Sequence, residues 1–104
     1  MYILATGNRH KLAEIALEAG VAATIGLYLR RDSTDVNARM WIPGGRLAGM
    51  SADDYTDDLE AGANVWELLT CAVTPSEDGV IELWVDVWGG TTNSVYVDDL
   101  SVTV

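Results

Sequence analysis

The sequence holds one cysteine, one histidine, two prolines and no phenylalanine among 104 residues. A single Cys71 excludes an intrachain disulfide, and with His10 as its only imidazole companion it excludes a zinc site of the Cys/His kind. A Ser-His-Asp triad would have to recruit His10, and no Gly-x-Ser-x-Gly elbow exists to meet it. The glycine-rich stretch Gly44-Gly45-Arg46-Leu47-Ala48-Gly49 has neither the spacing nor the lysine of a phosphate loop, so it reads as a hairpin turn. No apolar run approaches the ~20 residues of a membrane span. The start, Met1 to Thr6, lacks the basic and long apolar regions of a cleavable signal, so the chain reads as soluble.

Positive charge is scarce as well. Six Lys plus Arg stand against 16 Asp plus Glu, a formal charge of -10, which opposes the phosphate neutralisation behind nucleic-acid binding and makes anionic membrane an equally poor partner. All the bases (Arg9, Lys11, Arg30, Arg31, Arg39, Arg46) precede residue 47, whereas residues 51 to 104 carry acids alone. In a sandwich of interleaved strands this asymmetry is expected to neutralise itself internally rather than drive head-to-tail association.

What is present is core-forming material: 49% hydrophobic residues and 10 glycines, in a length that suits a single domain over residues 1–104. In Val80 to Trp88, Ile81, Leu83, Val85 and Val87 alternate with Glu82, Trp84, Asp86 and Trp88, a period-two strand with one aliphatic and one polar-aromatic face. Turn residues flank it, Thr74 to Gly79 before and Gly89 to Asn93 after, which favours an antiparallel meander. Val65 to Thr74, Ala23 to Arg31 and Ala38 to Ile42 alternate in the same way, Tyr2 to Thr6 adds another strand, and Arg46 to Met50 is expected as a short returning one. In Ser94 to Val104 the alternation of Val95 and Val97 changes phase to Leu100 and Val102 across Asp98-Asp99, as one extra residue in a β-bulge would cause. His10 to Gly20 is built of good helix formers, with Asn8 placed to cap and Gly20 to stop. Ala13, Ile15 and Leu17 nevertheless alternate between strand-like neighbours, and the segment is assigned to a strand. The expectation is an all-β chain of about eight short strands in an antiparallel two-sheet sandwich.

Val65 to Thr70, Pro75 to Gly79 and the terminal Tyr96-Val97-Asp98-Asp99-Leu100-Ser101-Val102 together resemble the closing strands of galactose-binding-like jelly rolls, the fold of carbohydrate-binding modules and of many phage and surface proteins. The resemblance covers residues 38–104 best and implies a jelly-roll-like sandwich; it says little about function. In the carbohydrate-binding members, aromatic rings stack on sugar C–H faces while polar groups take the hydroxyls, and Trp84, Asp86 and Trp88 offer that combination with the indoles about 13 Å apart. The alternative is that this face packs on a partner subunit or under a loop. An acidic residue near Asp98 and Asp99 often belongs to a structural calcium site in the resembling modules; the alternative is that the pair blunts a strand edge or satisfies a bulge. The acidic run Asp53 to Glu60 fails the EF-hand template and reads as a solvated loop.

No enzyme is expected, because a small sandwich rarely holds a cleft deep enough for a catalytic carboxylate pair. The sequence thus suggests a non-catalytic structural or adhesive module of a larger assembly, such as a phage virion, fibre or surface layer, with copies of itself or other assembly proteins as partners. The alternative is a carbohydrate-binding module whose partner is a glycan. No cofactor is required beyond the calcium just considered.

Overall fold

The computed structural model describes residues 2–5, 8–43, 47–50, 54–90 and 94–104, with the backbone alone at Tyr2, Ala5, Asn8 and Asp54. Eight strands follow in order among them: β1 (Tyr2–Ala5), β2 (Asn8–Leu17), β3 (Ala23–Arg31), β4 (Asn37–Ile42), β5 (Asp54–Tyr55), β6 (Glu67–Val73), β7 (Gly79–Trp88) and β8 (Ser94–Thr103). They form two four-stranded antiparallel sheets, β1-β8-β3-β6 and β2-β7-β4-β5. The pairs β1–β8, β2–β7, β3–β6 and β4–β5 are nested, as if one long hairpin had been rolled until β8 met β3 and β7 met β4. That rolling is what makes the sandwich a jelly roll.

Alternation drives it. Ile25, Leu27 and Leu29 from β3, Ala38, Met40 and Ile42 from β4, Ile81, Leu83, Val85 and Val87 from β7, and Val95 and Val97 from β8 face inward with 0–2% exposure. The two inner faces interdigitate into one core, and the outward neighbours, the covered Gly26 excepted, are half-buried or exposed. Cys71 packs half-buried against this core beside Leu69 and Val73.

The segment with helical propensity is strand β2, starting and stopping two to three residues earlier than its composition suggests. Pairing Ile15 with Ile81 and Leu17 with Gly79 buries both aliphatic side chains, and that tertiary gain outweighs a local preference of under ~1 kcal/mol per residue. The bulge expected at Asp98-Asp99 is present: Tyr28 pairs with Asp98 but Gly26 with Ser101, so β8 carries one extra residue, and Asp99 takes a left-handed backbone with φ 52°. A second bulge, at Leu12 in β2, turns that side chain toward the core.

Two expectations need correction. The strand placed at Arg46 to Met50 is not formed by Leu47 to Met50, which make a turn pinned to the β6–β7 connection: the Ala48 N–H donates to Glu77 Oε1 at 2.9 Å and Ala48 O accepts from Ser76 N at 2.6 Å. Leu47 is buried in the core over Gly79. The remaining strand comes from the acidic stretch read as loop, where Trp41 pairs with Tyr55 and Ile42 with Asp54. Beyond β5 the chain stays along β4 through Thr56 N to Met40 O (3.1 Å) and Leu59 N to Ala38 O (3.2 Å), burying Leu59. Asp57, Asp58 and Glu60 are exposed as a solvated loop requires. Thr6, Gly44 to Arg46, Asp53 and Thr91 to Asn93, also named in the sequence reading, lie outside the described residues.

Candidate functional site

Period-two alternation puts Glu82, Trp84, Asp86 and Trp88 of β7 on the outer face of the β2-β7-β4-β5 sheet, each half-buried. Strand register then decides their neighbours. One row across the sheet runs Lys11, Trp84, Trp41, Tyr55, and the next runs Arg9, Asp86, Arg39. Asn37 of β4 lies opposite Trp88.

The aromatic row is continuous. Trp41 and Trp84 lie with ring centroids 5.6 Å apart, tilted by 58°, and Trp41 and Tyr55 stack at 6.1 Å and 12°. Trp84 Nε1 donates to Glu82 Oε1 at 3.0 Å, which fixes the indole's direction. The guanidinium of Arg9 sits 4.4 Å above the Trp41 ring, and that of Arg39 sits 4.0 Å from Tyr55 and 5.4 Å from Trp88.

The charged row is a carboxylate between two guanidiniums. Asp86 lies 3.7 Å from Arg9 Nε and 3.5 Å from Arg39 Nη2, both at or beyond the long limit of hydrogen bonding, so its charge is balanced while N–H donors stay available. Arg39 Nε is buried without a hydrogen-bond partner. Lys11 bridges Glu14 at 2.8 Å and Glu82 at 3.2 Å, and those hydrogen bonds, Glu14 first, raise its ammonium above the ordinary lysine value. Bases from the first half of the chain thus meet acids from the second, the internal neutralisation that the charge asymmetry suggests.

The structure therefore brings Trp84 and Asp86 together with Trp41, Tyr55, Arg9, Arg39 and Lys11, and ties Trp88 to the cluster through Arg39. Sequence reasoning missed these companions, although Arg39 and Trp41 occupy the outward positions of an alternating segment that it recognised. Asp98 and Asp99 lie elsewhere, at the bulge on the opposite sheet, where Asp98 Oδ1 accepts the Asp99 N–H at 2.9 Å. Two carboxylates supply only part of the about six to eight oxygens calcium takes. Among the described residues no group of three or more His, Cys, Asp or Glu is placed to hold a metal ion.

No protein-family model matches the chain, and no curated protein matches it. Among solved structures it is similar to one described as "Family 16 Carbohydrate Binding Module-2", with a TM-score of 0.55 and 14% sequence identity over 98% of this chain and 74% of that one. The likeness spans both sheets and is one of fold: the chain has the β-sandwich of a carbohydrate-binding module.

Proposed function

We propose that this domain is a non-catalytic carbohydrate-binding module that holds a glycan on the outer face of the β2-β7-β4-β5 sheet. The observation that carries the reading is the pair of adjacent rows, aromatic (Trp84, Trp41, Tyr55) and charged (Arg9, Asp86, Arg39), on a single sheet face. Sugars present apolar C–H faces and dense hydroxyls, so a binder needs rings and fixed polar groups side by side. The guanidiniums brace the rings, so little side-chain freedom remains to be lost on binding. Asp86 accepts from a hydroxyl while Arg9 and Arg39 donate to its neighbours, and Trp84 and Trp88, four residues apart on one strand, span successive sugar units.

The likeness of fold supports this reading over a structural role in a virion or surface layer, which has no support of that kind. Calorimetric titration with a panel of neutral and acidic oligosaccharides tests it. At least one glycan should bind, with Trp84→Ala and Asp86→Asn each weakening it about tenfold or more, the size of one stacking contact or one charged hydrogen bond. A panel without binding, or equal affinity in both variants, overturns the assignment.

A further inference from the structure

β8 changes character where β1 ends. On its inward face Val95 and Val97 are 0% and 2% exposed, whereas Leu100 and Val102 are 42% and 43% exposed. The latter two still point toward the core: Val102 lies opposite the buried Ile25, and Ser101 between them faces outward over Gly26. What differs is the neighbour. β1 has four residues and pairs with Ser94 to Val97, and among the described residues no strand pairs with β8 past that point on the side away from β3. β3 meanwhile keeps a regular register with Ser101 to Thr103, so an ordered sheet edge runs on beyond β1. On the other sheet β2 continues to Leu17, well past the reach of β1. Two apolar hollows mark the gap between β2 and β8: one of about 210 Å³ against Leu12, Leu27 and Leu100, and one of about 170 Å³ against Leu17, Ala23 and Val104. Their described linings include the acids Asp98, Asp99 and Glu18 and no base.

We propose that this edge receives an extended segment of another polypeptide, which adds a strand to the β1-β8-β3-β6 sheet beside β1. Its backbone bonds the open edge of β8 between Leu100 and Thr103, while alternate side chains cover Leu100 and Val102 and enter the two hollows, so every second residue of the segment is apolar. The position continues an interface that the fold already uses, since β1 docks on the same edge of β8 and buries Leu4 there. Charge chooses the occupant. The hollows contribute acids alone and the chain carries -10 overall, so a segment with lysine or arginine between its apolar residues is attracted, whereas a second copy of this domain is repelled. The bulge at the head of the open edge, with Asp99 exposed, also discourages self-pairing. The site lies on the flank of the sandwich and uses none of the Trp84 face, so it is independent of the glycan reading.

The test is titration of the isotope-labelled domain with a blocked peptide of alternating lysine and valine at low ionic strength, followed by NMR amide shifts. The shifts should concentrate at Leu100 to Thr103 and at Leu12 to Leu17. Glutamate in place of lysine, or the same residues in block order, should weaken binding about tenfold or more. Of two further peptides, N-methylated on the valines or on the inner lysines, one should lose binding and the other keep it within about threefold, because only alternate N–H groups of an edge strand face its neighbour. Val102→Lys, at a position open enough to keep the fold, should weaken the peptide about tenfold, while Trp84→Ala should leave it unchanged. Absence of binding, equal affinity for the glutamate or block peptide, the same response to both N-methylations, or an unchanged Val102→Lys overturns the proposal. Loss of binding in Trp84→Ala does so too, by moving the peptide to the other face. A dimer of the free domain that Val102→Lys disperses overturns it as well, by giving the edge to a second copy.

Discussion

Gly89 shows how much a single position can hold in this chain. It follows Trp88 at the end of β7 with φ 77°, and a Cβ built on it would stand 2.5 Å from the backbone carbonyl oxygen of Asp35. Both the left-handed backbone and the close approach exclude a side chain. Gly89→Ala should therefore destabilise the domain by about 1–3 kcal/mol, read as a lower denaturation midpoint with an unchanged slope. Lys11 gives a residue-scale prediction in pH. Its native ammonium holds its proton more tightly than the unfolded one, so its contribution is complete below the unfolded value of 10.5 and is lost as pH rises through the higher native value. In paired thermal melts, any advantage of wild type over Lys11→Met should shrink above that pH and stay constant between neutrality and about pH 9. An advantage that grows with alkalinity would contradict the assignment.

At the scale of elements, the loops are held by polar groups reaching to backbone. Arg31, at the inward end of β3, is 9% exposed and donates from Nε and Nη2 to Ala61 O at 3.0 and 2.8 Å and from Nη1 to Val36 O at 3.2 Å. It thereby ties two connections to the sheet, while Glu67 Oε1 accepts from the N–H groups of Glu60 and Ala61 to close the same loop. Arg31→Met keeps most of the volume and leaves buried carbonyls without donors, so it should cost about 2–4 kcal/mol, seen as a melting point lower by about 4–8 °C for each kcal/mol. Little change would show that water replaces the guanidinium. These elements also mark how far the sequence could be read. Long alternating strands such as β3 and β7 declare both their faces, so Trp84, Asp86 and Trp88 and the phase change at Asp98-Asp99 were legible. Two-residue β5 has no period to detect, and its pairing with β4 is settled by Thr56 and Leu59. Arg39 meets Asp86 across 47 residues, through a register that local pattern does not contain.

Over the whole molecule, the two faces balance charge differently: bases and acids pair on the first, whereas on the second Arg30, alone among the described bases, lies over Trp66, beside Asp98 and Asp99. Three of the described bases, Arg9, Lys11 and Arg39, border Trp41, Trp84 and Trp88 on one sheet, whereas Trp66 stands beside Asp98 and Asp99 on the other. Charged quenchers of tryptophan fluorescence should feel this at low ionic strength. Caesium should act mainly on Trp66, so that Trp66→Phe removes most of the caesium-quenched signal and leaves the iodide-quenched part little changed. The glycan reading also requires the first sheet face to be open in solution, and a net charge of -10 works against self-association. Light scattering on the same sample should give a monomer of about 11.2 kDa with indoles reached by neutral acrylamide. A stable multimer whose tryptophans are protected would instead make the Trp84 face an interface between copies, and the rows of rings and guanidiniums there would be its contacts.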